Sequence, residues 1–167
     1  YKGLNRRSEA GVLELADSVS VTVNSCKEAY SKLFPGYEDK IAVIPPLFSG
    51  KILACLNKPD PNKRVQLVFT GTLYKEIRNP IYLLKLLTGV FDHAPETEGH
   101  FYGNLNDCVD LFEPYLSKYP KNLFVHGQVS REAAAEALKQ ADVLINISNQ
   151  NRHQLPSKLV DYMATGK

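Results

Sequence analysis

Apolar residues from position 64 onward follow two alternating patterns. RVQLVFTG (64–71) is a nearly continuous apolar run that ends in glycine, which is typical of a strand covered on both faces. Helical spacing follows Asn79-Pro80, which predicts Asn as the helix cap and Pro as the first helical residue. The predicted inner face of this helix consists of Leu83, Leu84, Leu87, Val90 and Phe91.

The alternation repeats to the end of the chain. HFYG (100–103), LFVHG (123–127) and VLINIS (143–148) are predicted strands, and Ser130 is the predicted cap of a helix between the last two. Connections this short between strands imply an α/β fold with a Rossmann-like, doubly wound parallel sheet. The helix predicted over 107–118 has as its inner face Val109, Leu111, Phe112 and Leu116.

Residues 1–58 are predicted to form a separate unit. A helix predicted over 8–16 leads to SVSVTVNS, and a helix predicted over 26–34 leads to KIAVIPP. KPDPNK (58–63) has the composition of a linker. The boundary therefore falls near residue 58, with residues 1–58 as the end of a preceding domain or an arm packed on the sheet. Residues 59–167 form the second domain.

Charge and hydropathy limit the classes of function. The chain has 20 basic and 18 acidic residues and a net charge of +2, which argues against nucleic acid as a partner and makes any anion contact local. No apolar run reaches the roughly 20 residues of a membrane span. We expect a cytoplasmic protein.

Two segments carry candidate chemistry for anion binding. Ligands of open parallel sheets bind beyond the carboxyl ends of the strands, and Gly71, Gly103 and Gly127 mark three such ends. The loop after the first glycine contains Lys75 and Arg78 just before a helix start, an arrangement that can hold a diphosphate. The alternative is that both are ordinary solvated loop residues.

The second segment is LPSKLVDYMATGK (155–167), read as a helix that begins at Pro156. Ser157 and Lys158 then lie in the first turn and can contact a phosphate, and Asp161, one turn later, can accept both hydroxyls of a ribose. The alternative is a surface ion pair between Lys158 and Asp161. The predicted core-facing residues are Leu159, Val160 and Met163.

These motifs together resemble the donor-binding half of GT-B glycosyltransferases, of the retaining group 1 type with two carboxylates eight residues apart. The similarity is carried by VFTGTLYKEIRNP, HFYGN, LFVHGQVSREAAAEALKQADVLINIS and QLPSKLVDYMATGK, and SVSVTVNSCKEAYSKLFPGYEDKIAVIPP resembles the end of the family's first domain. The resemblance implies a nucleotide-sugar donor in the second domain, an acceptor in the first, and no metal or other cofactor.

The family roles transfer to individual positions. The resemblance implies that Lys75 and Arg78 are catalytic, because they would stabilise the leaving nucleoside diphosphate. The implied donor-binding positions are Gly71, Thr72, Gly127, Gln128, Val129, Ser157, Lys158 and Asp161.

Two positions depart from the family pattern. Thr72 occupies a place that often holds Arg, and His153 occupies the place of the first carboxylate, whose role would pass to Gln150, Asn151 or Gln154. Apart from these two positions, the resemblance implies a fragment of a retaining hexosyltransferase of polysaccharide biosynthesis. It would use a UDP- or GDP-sugar and a glycan or lipid-linked acceptor, in the cytoplasm or at the inner face of the membrane. The alternative, favoured by His153, is a non-catalytic nucleotide-binding or regulatory module.

The isolated fragment is expected to be inactive. Members of the family have an acceptor domain before this region and continue past Gly166-Lys167 with a further strand and helix, so the donor domain would be truncated at its C-terminus.

Overall fold

A computed structural model describes residues 4–46, 63–149 and 157–167 of the chain. These residues divide into two compact units, one containing 4–46 and one containing 63–149 with 158–167. The predicted boundary near residue 58 lies outside the described residues.

The first unit contains two helices, α1 (Leu4–Leu15) and α2 (Asn24–Leu33), and two strands, β1 (Val19–Val21) and β2 (Ile41–Val43). The strands pair in parallel, with Val19 opposite Ile41. A small core fixes the helices on this sheet, and it consists of Leu13, Phe34 and Ile41.

The second unit is a four-stranded parallel sheet with helices between its strands. Its elements are β3 (Val65–Thr70), α3 (Ile81–His93), β4 (Thr97–Tyr102), α4 (Val109–Lys118), β5 (Leu123–Gly127), α5 (Arg131–Gln140), β6 (Val143–Leu144) and α6 (Ser157–Ala164). The strand order is β5-β4-β3-β6, so β3 is central and the loops after β3 and β6 emerge at one edge. This arrangement confirms the predicted Rossmann-like sheet.

Each face of the sheet carries its own apolar cluster. The face under α3 and α4 is packed by Phe69, Leu84, Leu87, Phe91, Phe101 and Phe112. The opposite face, under α5 and α6, is packed by Val68, Ala137, Leu138, Ala141 and Tyr162. Helices on both faces explain why β3 has no alternation of polar and apolar residues.

Local sequence patterns predicted the position of most of the helices. Leu84, Leu87 and Phe91 of α3 are buried as predicted, and the Ser130 hydroxyl accepts a hydrogen bond from the Ala133 N–H at 3.1 Å, as expected of a cap. Helix α3 begins at Ile81, one residue after the predicted Pro80, although the Asn79 side chain accepts from the Ile81 N–H as a cap does.

Two predictions for inward-facing residues are wrong. Val109 is 52% exposed because α4 is preceded by a 3-10 turn that places this residue at the helix end. Met163 is 73% exposed, whereas its neighbour Tyr162 is buried. The buried position suits tyrosine because its hydroxyl has hydrogen-bond partners there.

Strand β6 covers two residues instead of the predicted six. It pairs with Leu67 and Val68 of β3, and the Ile145 N–H adds one more bond to the Val68 carbonyl. The next groups of β3, the Thr70 N–H and carbonyl, are bonded to side chains of α6 instead. The regular ladder between β3 and β6 therefore ends before Thr70, whose backbone groups bond to side chains of α6.

Candidate functional site: the carboxyl ends of the parallel strands

Three glycines shape the carboxyl edge of the sheet. Gly71, Gly103 and Gly127 follow or end neighbouring strands, with φ of +153°, +124° and +69°. The Gly71 N–H donates to the Tyr102 carbonyl, and the Gly103 N–H donates to the Gly127 carbonyl, both at 2.7 Å. A Cβ on Gly103 would lie 1.9 Å from the Gly71 carbonyl oxygen. The sequence thus placed all three glycines at positions where the backbone requires them.

An open pocket of about 320 Å³ lies on this edge. Its walls come from the residues that end β3, β4 and β5 and from the first turn of α6. The lining residues are Thr70, Gly71, Thr72, Tyr74, Tyr102, Gly103, Asn104, Asn106, Gln128, Val129, Ala134 and Lys158.

Two cationic side chains converge on Gly71. A Cβ built on this glycine would lie 3.1 Å from the Lys158 Nζ and 3.5 Å from an Arg78 Nη1. Lys158 comes from α6 and Arg78 from the loop that precedes α3, so the fold brings together charges 80 positions apart in the sequence. Both bases and the open backbone of Gly71 therefore face the same small volume.

Arg78 is held by neutral oxygens. Its Nη1 donates to the Thr72 carbonyl at 3.1 Å, and its Nε and Nη2 donate to the Asn149 Oδ1 at 3.1 and 2.7 Å. The loop itself is closed by paired backbone bonds between Tyr74 and Arg78. These contacts fix the guanidinium without neutralising its charge.

Lys158 is half-buried, and its Nζ donates to the Thr70 carbonyl at 2.8 Å. Burial lowers the pKa of Lys158 below its ordinary value, the charge of Arg78 lowers it further, and Asp161 opposes the change. Among the described residues no carboxylate forms an ion pair with either base. Two cations held together in this way create a site that an anion would stabilise.

Lys75 has a different environment from Arg78. Its ammonium forms an ion pair with Asp110 at 2.7 Å, and its backbone N–H donates to Asp107. The hydrogen bond to Asp110 raises the pKa of Lys75. Neither Lys75 nor Arg78 is among the residues that line the pocket, but Arg78 lies beside Gly71 whereas Lys75 is bound by Asp110. The structure thus separates the two bases that the sequence placed in one role.

The remaining predicted positions fall into three groups. Thr72, Gln128 and Val129 line the pocket with Gly71, and Gly127 supports it through the backbone. Ser157 begins α6, but the structure does not describe its side chain. The other predicted positions lie outside the described residues: Gln150, Asn151, His153, Gln154 and Pro156.

Asp161 is half-buried on α6. In the described part of the chain, Asp161 forms no ion pair with Lys158. The alternative of a surface ion pair between these two residues is therefore not observed.

An aromatic stack supports the floor of the pocket at Tyr102. The Tyr102 ring lies 4.1 Å from the His126 ring at an interplanar angle of 6°. His126 Nε2 is 3.0 Å from His100 Nδ1, and the other nitrogen of His100 is 3.2 Å from Glu98. No local pattern in the sequence indicated this chain of contacts, because it joins alternate residues of two neighbouring strands.

Within residues 4–46, 63–149 and 157–167, no three His, Cys, Asp or Glu side chains are grouped so that they could hold a metal ion. The expectation that no metal is required stays a prediction. In the same ranges, every helix is too short or too polar to cross a bilayer.

Comparison with solved structures adds independent information about this fold. The crystal structure of Anabaena HepE in complex with UDP is similar over 100% of this chain and 48% of its own, with a TM-score of 0.74 and 14% identity. TarM is similar over 95% of this chain and 30% of its own, with a TM-score of 0.68 and 13% identity. This chain has the fold of part of a GT-B glycosyltransferase.

Other matches agree with the GT-B assignment. The lipopolysaccharide outer core galactosyltransferase WaaB is similar over 90% of this chain and 42% of its own, with a TM-score of 0.58 and 17% identity. The chain spans less than half the length of each of these structures. No protein-family model and no curated protein matches the sequence. The resemblance found in the sequence motifs is thus confirmed at the level of the GT-B fold.

Proposed function

We propose that this chain is the donor-binding part of a glycosyltransferase that uses a nucleoside diphosphate sugar. The observation that carries the proposal is the convergence of Lys158 and Arg78 on Gly71, where no carboxylate among the described residues pairs with either base. A diphosphate placed there would receive two charge-assisted interactions, and its negative charge would offset the burial and the repulsion by Arg78 that lower the pKa of Lys158.

The pocket size and its rim support a ligand larger than phosphate. About 320 Å³ extends from Gly71 past Tyr102 to Gln128 and Val129, and its rim carries amide side chains that can bind sugar hydroxyls or a base. In this proposal Asp161 accepts the ribose hydroxyls. HepE, which has a similar fold, has been crystallised with UDP and with UDP-glucose, which favours uridine over guanosine.

The proposed reaction transfers the sugar with retention of its anomeric configuration to a glycan or lipid-linked acceptor. The C–O bond between the anomeric carbon and the diphosphate breaks, and the nucleoside diphosphate takes the electron pair. The acceptor oxygen bonds to the same carbon, and its hydroxyl proton passes to the oxygen of the departing diphosphate. Arg78 and Lys158 would stabilise the charge that grows on the leaving diphosphate.

Isothermal titration of the full-length protein with UDP, GDP and their sugar conjugates tests this function. Binding of a nucleoside diphosphate and slow release of free sugar from the conjugate would support it. Absence of binding by all of them would contradict it.

His153, in the place of the family's first carboxylate, favours a second candidate, a nucleotide-binding module without turnover. Binding without any sugar release by the full-length protein, in the presence of candidate acceptors, would support that module over the enzyme.

A further inference from the structure

The Tyr162 hydroxyl is buried against the end of the central strand. It lies 3.2 Å from the Thr70 backbone nitrogen, whose N–H donates to it, and 3.0 Å from the Thr70 Oγ1. Only 5% of the Tyr162 surface is exposed. The hydroxyl thus replaces the strand partner that β6 would otherwise supply to Thr70.

Lys158 binds the same residue from one helical turn earlier. Its Nζ donates to the Thr70 carbonyl, and residues four apart lie on the same side of a helix. Both peptide groups of Thr70 that face α6 are therefore bonded to α6 side chains. Gly71, beside which the Lys158 ammonium lies, is the next residue of the chain.

A long lysine side chain does not hold one position by itself. Lys158 has four rotatable side-chain bonds, and nearby Arg78 repels it. The rigid Tyr162 ring, whose hydroxyl contacts the backbone nitrogen, the Oγ1 and the carbonyl oxygen of Thr70, fixes the separation between α6 and β3. If α6 were not anchored in this way, it would shift more readily against β3, and the Lys158 ammonium would spend less time beside the Thr70 carbonyl and Gly71.

We propose that Tyr162 is a positioning residue of the anion site, whose hydroxyl anchors α6 to Thr70 and thereby keeps the Lys158 ammonium beside Gly71 and Arg78. This inference rests on the proposed role of Lys158 in binding a donor diphosphate. It assigns to Tyr162 a function beyond filling the core.

The chain offers a matched control for the removal of a buried tyrosine hydroxyl. Tyr119, after α4, is also buried, and its hydroxyl donates to the Asp92 carboxylate at 2.8 Å. Tyr162→Phe and Tyr119→Phe each delete one oxygen and keep the ring. Both should lower stability, but only the first should affect the site.

The test measures the affinity of the full-length protein for UDP in a double-mutant cycle. Tyr162→Phe is expected to raise the Kd of UDP by about 3- to 30-fold in the wild type and by less than about twofold in a Lys158→Met background. Tyr119→Phe should leave the Kd unchanged in both. Equal weakening by Tyr162→Phe in both backgrounds, or no weakening in the wild type, would overturn the proposal.

A second readout separates this inference from the proposed function. Nitrogen-15 NMR of labelled lysine side chains reports the pKa of Lys158 without any ligand. In Tyr162→Phe that pKa should rise towards the ordinary lysine value, because the ammonium moves away from Arg78 and into water. An unchanged pKa would refute the positioning role even if UDP binds. If the wild type does not bind UDP, the donor function fails, and this measurement still decides the role of Tyr162.

Discussion

Gly103 lies so close to Gly71 that a methyl group on its Cα would be 1.9 Å from the Gly71 carbonyl oxygen. The two residues follow the ends of neighbouring strands, and both have φ values in the region that favours glycine. The contact between them forms the floor of the edge on which Lys158 and Arg78 converge. The close approach of these two backbone segments is therefore required for the geometry of the candidate site. A Gly103→Ala substitution, which adds one carbon at the contact, tests this requirement.

Gly103→Ala should lower the free energy of unfolding by at least about 3 kcal/mol, because neither backbone can yield without breaking the ladder between β3 and β4. Denaturant unfolding measures this change. Gly89→Ala, in α3, is the matched control: nothing lies within 4 Å of the added carbon, so the variant should gain about 0.5–1 kcal/mol. A Gly103→Ala protein as stable as the wild type would show that the two glycines are not in contact.

Asp161→Ala separates ribose recognition from phosphate recognition. Loss of a carboxylate that binds ribose hydroxyls should lower the affinity for UDP by about 10-fold or more. Pyrophosphate has no ribose, and removal of a negative charge near Lys158 should leave its affinity equal or higher. Titration of the variant with each ligand gives both values. An equal loss of affinity for UDP and for pyrophosphate would exclude the assigned ribose contact.

The stability of the second unit should fall below about pH 6.5. Burial and the neighbouring His100 hold the pKa of His126 below its ordinary value of 6.5. The unfolded chain therefore binds the proton more tightly than the folded chain, so stability is lost as the pH falls through this window. Glu98 pairs with Arg64 and with His100. No carboxylate among the described residues forms an ion pair with His126, so no acidic partner offsets the lowering of its pKa.

Urea midpoints at pH 5.5 and 7.5 test this dependence. His126→Gln should reduce the difference between the two midpoints, whereas His93→Gln, at the end of α3, should preserve it. An identical pH dependence in His126→Gln and wild type would assign the effect to another group.

Local sequence signals were sufficient for the sheet and for part of the site. The glycines that end three strands, the Ser130 cap and the spacing of Leu84, Leu87 and Phe91 each reflect a constraint that acts within a few residues. The same holds for Lys158, which the first turn of a helix places at the edge of the sheet.

Contacts between distant segments were not visible in the sequence. Lys75 and Arg78 are three residues apart and looked equivalent, but Asp110, 35 residues further on, binds Lys75 and leaves Arg78 beside Gly71. The inward position of Tyr162 depends on Thr70, 92 residues earlier. Helical spacing alone could not distinguish it from Met163.

The most direct test of the proposed diphosphate site is the affinity for UDP of three matched variants of the full-length protein, Lys158→Met, Arg78→Met and Lys75→Met, measured by isothermal titration. The first two variants are expected to raise the Kd by about 10-fold or more, because each removes a charged donor to the diphosphate. Lys75→Met should stay within about threefold of the wild type, since Asp110 already binds that ammonium. Wild-type affinity in Lys158→Met and Arg78→Met would contradict the central claim that these two residues form the diphosphate site.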